Sequence, residues 1–168
     1  MKIRQYRSSD RDTVWNLHNL ALEVAGAHAG NGAWDDDFDQ IDEVYLLSGG
    51  EFLVGEVDGR LIAMGALKRT DAERVEMKRI RIHPSQQRKG YGQMIIHALQ
   101  ERAIALGYRL IHLDTTTIQI AAQKLFEKNG FIRVGKDRFG KFELLLYEKE
   151  LPTNRRRQSR EAGASQDA

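Results

Sequence analysis

The chain has 168 residues, 41% of them apolar, and a formal net charge of +2; it contains no cysteine, and its five histidines never fall at a metal-ligand spacing. These values predict one domain with a hydrophobic core and exclude disulfides and thiolate metal sites, and we expect no metal. No segment approaches the roughly 18 apolar residues of a membrane helix and the N-terminus lacks the apolar stretch of a signal peptide, so we expect a soluble, cytoplasmic protein that binds no membrane.

The first fifty residues predict two helices. Residues 11–28 carry apolar side chains at the spacing of three and four that is typical of an amphipathic helix, with Ser9 or Asp10 placed to cap it. After a glycine-rich loop, residues 34–50 predict a second helix, because acidic side chains crowd its first turn, where the helix dipole favours them. The double glycine at 49–50 ends this helix.

From Glu51 onward the apolar pattern has a period of two, which predicts strands. Asp58-Gly59 separates two such strands and is a strong hairpin signal, because both positions tolerate a positive φ. The remaining predicted elements are, in chain order, a central strand at 75–84, a helix from about Tyr91 to Leu106, a strand at 108–115, a helix at 118–130 and a hairpin at 131–151. This order predicts one α/β domain with a mixed sheet.

The basic charge is concentrated at the C-terminal end. The last 16 residues, 153–168, hold four arginines and two acids, which leaves 22 basic and 22 acidic residues at positions 1–152. A nucleic-acid-binding face needs a clustered basic surface, so this balance argues against nucleic acid as a partner. We assign residues 1–150 to the folded domain and residues 151–168 to a disordered basic tail, for which a solvated end and contact with an acidic partner both stay open.

A glycine-containing loop joins the central strand to the helix that follows it. A helix N-terminus presents unpaired backbone N–H groups at the positive end of the helix dipole, which favours a phosphate. Gly90 and Gly92 let the main chain approach such an anion, and Arg88 and Lys89 add positive charge beside it. The nucleotide-binding pattern G-x-x-x-x-G-K-S/T is absent, and Ile95 stands where a dinucleotide fingerprint needs its third glycine.

Two segments together carry a resemblance to a known family. Gln87, Gly90 and Gly92 match the pattern Q/R-x-x-G-x-G/A, and the later helix, AAQKLFEKNGF, is similar to A-x-x-L-Y-x-K-x-G-F. With both segments in this order of elements, residues 1–150 resemble the GNAT superfamily of acyl-CoA-dependent N-acetyltransferases. The resemblance implies the GNAT fold, an α/β fold with a mixed, mostly antiparallel twisted sheet, a central splayed pair of parallel strands and about four helices.

The resemblance also implies acetyl-CoA as co-substrate and a position for it. In this family the pantetheine arm lies between the splayed strands against exposed backbone, which corresponds here to Ile80, Arg81 and Ile82. Gln119 stands where the family often has an asparagine that contacts the arm. The residues that correspond to the pyrophosphate loop are Gln87, Arg88, Lys89, Gly90, Tyr91, Gly92 and Gln93.

The chemistry of the family needs a neutral amine, and an alkyl ammonium with a pKa near 10.4 needs a base at neutral pH. Glu76 lies eleven residues before Gln87, the spacing at which histone-acetylating members place their glutamate base. The alternative is a strand glutamate in a cross-strand ion pair with Arg or Lys. Phe126 occupies the position of the family's usual general acid, a tyrosine, so that role is not transferred; Tyr91 and Tyr147 are weak substitutes.

The sequence says less about the amine that accepts the acetyl group than about acetyl-CoA, which donates it. The acidic side chains between 35 and 43 either attract a cationic amine or are first-turn helix acids on a solvated face. We predict acetyl transfer from acetyl-CoA to a primary amine of a small molecule or peptide, by direct attack in a ternary complex, since no cysteine exists to form a covalent intermediate. A non-catalytic acyl-CoA-binding or sensing domain is the alternative, and exposed hairpins of the predicted kind favour a homodimer.

Overall fold

A seven-stranded mixed sheet lies at the centre of the structure, a computed structural model that describes residues 1–153. The strands are β1 (Lys2–Gln5), β2 (Glu51–Val57), β3 (Arg60–Arg69), β4 (Arg74–Ile82), β5 (Leu110–Thr116), β6 (Ile132–Phe139) and β7 (Phe142–Glu150). They lie in the order β1-β2-β3-β4-β5-β7-β6, and within the described residues only β4 and β5 run parallel. The predicted mixed, mostly antiparallel sheet with one parallel pair is confirmed.

Three α-helices pack on the two faces of this sheet: α1 (Arg11–Val24), α2 (Tyr91–Ala105) and α3 (Ile120–Lys128). Apolar side chains of α1 fill a core on one face, and those of α2 and α3 fill a second core on the other face. The alternation of side chains along β3 supplies both cores, with Met64 in one and Ala63 and Leu67 in the other. In the part of the chain that the structure describes, no helix is long and apolar enough to cross a bilayer.

The local signals at element ends are mostly confirmed. Asp58 and Gly59 join β2 to β3 with φ angles of 50° and 74°, as the predicted hairpin turn requires. Asp10 lies at the N-terminus of α1 as predicted, but its carboxylate accepts hydrogen bonds from the Arg4 guanidinium and the Arg7 N–H instead of capping that helix. The position of Asp10 was therefore predictable from the sequence, while its hydrogen-bonding partners were not.

The prediction of one continuous helix over residues 34–50 is wrong. Ala33–Asp39 form a 3₁₀-helix and Asp42–Leu46 form a short π-helical turn. The acids that suggested a regular first helical turn include Asp35 and Asp37, and both carboxylates instead turn inward to the guanidinium of Arg79. A tertiary ion pair has thus overridden the local preference for a helix.

Two further differences concern the ends of the domain. β1 was not predicted, and it pairs its four residues with β2 at the edge of the sheet. Leu151, which the sequence assigns to the tail, is buried, and its N–H donates to the carbonyl of Arg109 at 2.8 Å. The rest of the predicted tail, from residue 154 onward, lies outside the described residues. The homodimer stays a prediction.

β4 and β5 separate after only three paired residues. Their pairing ends where Glu76 lies opposite His112, although β4 continues to Ile82. Between these points the register of β4 against β3 shifts, and Arg79 has a φ of 59°. A bulge of this kind bends a strand and increases its twist, so the second half of β4 diverges from β5. The predicted splayed parallel pair is present, and the gap that it opens holds the site described next.

Candidate active site

A cleft of about 370 Å³ lies in the gap between β4 and β5. It extends through the sheet, because its lining comes from both faces. Met77, Leu125 and Phe126 line it on the α2–α3 side. The polar groups that line it include His18, Asp35, Glu76, Arg79, Arg81 and Asp114. The cleft therefore combines an apolar channel with a cluster of charged side chains.

The edge of β4 offers main-chain groups to this gap. The N–H of His83 donates to the carbonyl of Ile62 at 2.7 Å, so these residues form a hydrogen-bonded pair of the antiparallel ladder. Because such pairs alternate, Ile82 is not bonded to β3, and its N–H and C=O point into the gap. Ile80, two residues earlier, lines the cleft beside the register shift of β4, and its carbonyl accepts a hydrogen bond from Nη1 of Arg81 at 2.8 Å. Arg81 instead directs its main chain to β3, which corrects the main-chain role predicted for it.

The loop between β4 and α2 presents a set of unpaired backbone N–H groups. Within residues 1–153, the N–H groups of residues 87–93 donate to no protein acceptor. α2 then runs for 15 residues, so the positive end of its dipole lies at this loop. Arg88 and Gly90 have φ angles of 62° and 81°, and Gly90 is the N-cap residue, with open space where a Cβ would stand. This geometry fits an anion.

The side chains at the start of the loop are exposed. Gln87 donates from Nε2 to the carbonyl of Ile82 at 3.3 Å, and Lys89 donates from Nζ to Oε1 of Gln86 at 2.9 Å. Arg88 makes no hydrogen bond within the described residues. These contacts lie at the surface, so the three side chains are able to turn toward a bound anion at small cost.

The side chains at the helical end of the loop serve packing. Tyr91 is partly buried against the core under α2. Gly92 is needed where α2 approaches α3, since a Cβ there would lie 3.0 Å from Cδ2 of Leu125. Gln93 and Asn129 exchange two side-chain hydrogen bonds of 2.6 and 2.8 Å. Gly92 and Gln93 therefore offer a ligand their backbone, while their positions fix the two helices together.

Gln119 lies at the N-terminus of α3, as predicted, and it lines the cleft; its contact with the arm of acetyl-CoA stays a prediction. Its Oε1 accepts hydrogen bonds from the hydroxyls of Thr115 and Thr116, at 3.2 and 3.0 Å, and from the Thr116 N–H at 3.3 Å. The amide is thereby held in one orientation, and within the described residues its Nε2 has no partner. One donor of Gln119 remains for a ligand.

Two carboxylates, Glu76 and Asp114, line the cleft together. Glu76 pairs with His112 across the parallel strands, and Asp114 follows two residues later on β5, so all three side chains lie on one face of the sheet. Oε1 of Glu76 lies 3.6 Å from Nζ of Lys78, so Glu76 has an ion pair within β4 rather than the cross-strand pair of the alternative interpretation. Desolvation, and then the charge of Glu76, raises the pKa of Asp114.

A buried charge cluster holds the bulge of β4 against the segment after α1. Arg79 donates to both carboxylate oxygens of Asp37, at 3.0 and 2.6 Å, and to Asp35 at 3.2 Å. Asp37 also accepts a short hydrogen bond from the hydroxyl of Tyr45. Burial opposes the charge of Arg79, but the bonds and attraction to Asp37 outweigh it, and the pKa of Arg79 is raised. The acids at 35 and 37 are thus neither solvated nor free to attract an amine.

His18 and Arg81 lie beside this cluster with unpaired atoms. Nε2 of His18 lies 3.2 Å from Asp35, while Nδ1 is buried and has no partner among residues 1–153. Burial, and then the charges of Arg81 and Arg79, lower the pKa of His18 to about 2, so the imidazole is neutral. Burial, and then the like charge of Arg79, lower the pKa of Arg81 to about 10, so its guanidinium remains charged at neutral pH.

Aromatic side chains form the remaining walls. Phe126 is buried, lines the cleft and packs against Phe131 at a centroid distance of 5.8 Å. Tyr147 is also buried, and its hydroxyl donates to Oε1 of Glu127 at 2.9 Å, outside the cleft lining. Trp34 also lines the cleft.

Sequence reasoning missed several of these groups. Asp114 carried the signal of an acid at the end of a parallel strand, which alone more often indicates a cap. His18 lies in the predicted helix α1, at a position whose spacing is typical of the hydrophobic core. Arg79 and Arg81 alternate with apolar residues in β4, and nothing local indicates that Arg79 meets acids brought by another segment while Arg81 does not.

Known proteins support the same fold and chemistry. The profile of the acetyltransferase (GNAT) family matches residues 12–131. An N-acetylaspartate synthetase of Xenopus tropicalis is 30% identical over 101 residues, which cover 59% of this chain but only 37% of that protein.

Solved structures show the fold at lower identity. An acetyltransferase of the GNAT family from Staphylococcus aureus superposes with a TM-score of 0.83 at 17% identity, over 90% of this chain and 99% of that chain. A phosphinothricin acetyltransferase from Sinorhizobium meliloti, solved in complex with acetyl-CoA, gives a TM-score of 0.73 at 16% identity, over 89% of this chain and 88% of that chain. Acetyl-CoA is the co-substrate in this family. By fold, by the matched profile and by the loop that precedes α2, the chain belongs to the GNAT family of acetyltransferases.

Proposed function

We propose that this protein transfers the acetyl group of acetyl-CoA to a primary amine of a small molecule or peptide, by direct attack in a ternary complex. One observation carries the proposal: β4, which lines the cleft together with the carboxylates Glu76 and Asp114, leads at its C-terminal end into a loop whose seven N–H groups, at residues 87–93, donate to no acceptor within the described residues. An anion site, a channel for an extended arm and a base are the parts that this reaction requires.

The residues fit acetyl-CoA. The N–H groups of residues 87–93 suit its diphosphate, with the side chains of Gln87, Arg88 and Lys89 at the surface beside it. The main-chain groups of Ile80 and Ile82 suit the amides of the pantetheine arm, which bonds to them as an additional strand would. Further along the cleft, the amide of Gln119 offers one donor. Bound acetyl-CoA would supply an activated thioester to the acceptor.

Glu76 is the proposed base. An acceptor ammonium must lose a proton before its nitrogen is nucleophilic, and a carboxylate that lines the cleft is able to receive it directly or through water. Asp114 lies on the same face and stabilises the ammonium before that proton leaves. The amine thus meets two carboxylates at the end of the cleft where the strands separate.

The general acid of the family is replaced by Phe126. The buried hydroxyl of Tyr147 is held by Glu127 and does not substitute for it. A thiol with a pKa near 8.5 leaves as a thiolate without protonation, so the reaction proceeds without this acid. Phe126 is nevertheless the observation that favours the second candidate function, a non-catalytic acyl-CoA-binding or sensing domain.

The comparisons bear on the acceptor class. The name of the Xenopus tropicalis relative states N-acetylaspartate as its product, and the Sinorhizobium meliloti enzyme is named for phosphinothricin. A small acceptor of this kind is consistent with a cleft of about 370 Å³, which is at the low end of the range for small-molecule sites.

The test compares two glutamates. Release of CoA is measured with a panel of amines for the parent, for Glu76→Gln and for Glu73→Gln, which alters an exposed glutamate paired with Arg109 outside the cleft. We expect kcat to fall by about 10²-fold or more in Glu76→Gln and to be unchanged in Glu73→Gln, with acetyl-CoA affinity equal in all three by calorimetry.

Two results separate the alternatives. If acetyl-CoA binds and CoA release stays at the rate without acceptor in all three proteins, the non-catalytic domain is the better description. If the parent does not bind acetyl-CoA, both functions are wrong.

A further inference from the structure

The guanidinium of Arg81 is an ion without a counterion in the cleft. It lines the cleft, and its Nη1 donates to the carbonyl of Ile80 at 2.8 Å. Its Nε is buried with no partner, and within residues 1–153 its Nη2 makes no hydrogen bond either. Two of its three nitrogens are therefore unpaired.

Carboxylates lie near Arg81, but they pair with the neighbouring Arg79. Arg79 takes both oxygens of Asp37 and one oxygen of Asp35. The imidazole next to Arg81, His18, is neutral and faces Asp35 with Nε2. No carboxylate of the described residues lies within ion-pair distance of Arg81.

Burying an unpaired charge is costly, and a paired or apolar side chain would be more stable at this position. An arginine presents a planar fork that matches a carboxylate with two parallel hydrogen bonds. The unpaired Nε and Nη2 are the two nitrogens on one edge of that fork. They point to an anionic ligand group rather than to a role in folding.

The opposite charge is present across the same cleft. Glu76 and Asp114 line it, and the charges of Asp35 and then Asp114 attract the guanidinium of Arg81 without pairing with it. A ligand with an ammonium toward the two carboxylates and a carboxylate toward Arg81 would satisfy all three groups. Amino acids have this arrangement of charges, whereas polyamines and most lysine side chains do not.

We propose that Arg81 binds a free carboxylate of the acceptor and restricts the enzyme to amino acids. This inference rests on the proposed acetyl transfer, and it assigns to Arg81 the selection of the acceptor rather than a contact with acetyl-CoA. An acceptor that lacks the carboxylate leaves the guanidinium desolvated and unpaired, and is disfavoured for that reason.

The experiment uses matched acids and amides. The twenty amino acids and their α-amides are offered to the parent with acetyl-CoA, and the aspartate–asparagine and glutamate–glutamine pairs report on a side-chain carboxylate. We expect at least one acid to exceed its matched amide by about 10²-fold in kcat/KM. The α-amides and the side-chain pairs then identify which carboxylate Arg81 binds.

Variants assign the preference to Arg81. In Arg81→Met the KM for the preferred acid rises by about 10²-fold while the rate with its amide is unchanged, so the preference disappears; Arg81→Lys restores part of it. Arg60→Met, in an exposed arginine at the start of β3, keeps the parent's preference. A merely structural arginine would lower the rates with acid and amide alike.

Separate outcomes overturn this inference and the proposed function. If amides, polyamines and acids react equally well in the parent, or if Arg81→Met keeps the acid preference, the inference is wrong and acetyl transfer stands. If no acceptor reacts, binding of the amino acids to the CoA-saturated protein is measured by calorimetry. Binding that Arg81→Met abolishes supports the inference although the proposed transfer has failed; absence of binding overturns it.

Discussion

Replacing Arg79 by methionine is expected to destabilise the fold far more than replacing Arg81, although the two arginines lie two residues apart on β4. The side chain of Arg79 is 9% exposed, and the side chains of its partners Asp35 and Asp37 are 6% and 11% exposed. Methionine at position 79 leaves both carboxylates buried without their cation. Removing one partner of a buried ion pair costs about 3–5 kcal/mol.

The lower end of that range applies here. Asp37 keeps its hydrogen bond from Tyr45, and His18 remains 3.2 Å from Asp35. The left-handed φ of 59° at position 79 strains arginine and methionine alike, so it does not enter the difference. We therefore expect Arg79→Met to lower the free energy of unfolding by about 3 kcal/mol, and Tm by about 6–12 °C for a domain of this size.

Arg81→Met removes one hydrogen bond, from Nη1 to the Ile80 carbonyl, which is worth about 1 kcal/mol. It also removes an unpaired buried charge, whose desolvation opposes folding. The two effects offset each other, so we expect a change within about 1 kcal/mol of zero, or a gain.

Urea unfolding followed by circular dichroism measures both variants under the same conditions, with equal m-values as evidence of a common two-state transition. Equal losses in the two variants, or a larger loss in Arg81→Met, would refute the assignment of the counterions to Arg79. An undiminished stability of Arg79→Met would show that the Asp35–Asp37 cluster does not depend on this cation.

Three further measurements address the loop, the helix pair and pH. Gly90→Ala introduces strain of about 1 kcal/mol at a φ of 81°, and it should weaken acetyl-CoA binding in calorimetry. Gly107→Ala is the control, because Gly107 lies beyond the other end of α2 with a φ of 89° and equally open surroundings. It should cost the same stability without changing the affinity for acetyl-CoA. Gln93→Ala breaks both hydrogen bonds to Asn129 and should cost about 1–2 kcal/mol in urea unfolding, while its intact backbone N–H keeps acetyl-CoA affinity within about threefold; a large loss of affinity would give its side chain a direct role. Burial lowers the pKa of His18, so below about pH 6.5 the unfolded chain binds a proton that the native state does not, and the free energy of unfolding falls as pH falls, by at most about 1.4 kcal/mol per pH unit. His18→Gln should flatten that part of the stability–pH curve between pH 8 and 5, and an unchanged slope would show that the native imidazole is protonated.

The parts of the fold that the sequence predicted are those with local causes. Asp58-Gly59 fixes a hairpin through the backbone freedom of two residues, and the period of two marks β4 whatever its neighbours are. The loop at 87–93 was predictable in the same way, because a helix N-terminus preceded by Gly90 creates an anion site from its own N–H groups. β1 escaped prediction because four residues at a sheet edge carry too short a pattern.

The residues of the candidate site also fall into two groups, those predicted from the local sequence and those whose role depends on the tertiary structure. The sequence predicted the anion-binding loop and, through the resemblance to the GNAT family, the strand edge at Ile80, Arg81 and Ile82 and a glutamate base at position 76, because each prediction depends on residues of one chain segment; these roles stay predictions. Only the tertiary structure decided how the charges pair, because Asp35 reaches Arg79 across 44 positions and Asp114 enters the cleft from a different strand. Electrostatic energy depends on distance in space and on burial, which a linear pattern does not contain. For that reason the unpaired guanidinium of Arg81, and with it the inferred selection of amino acids, emerges only from the folded chain.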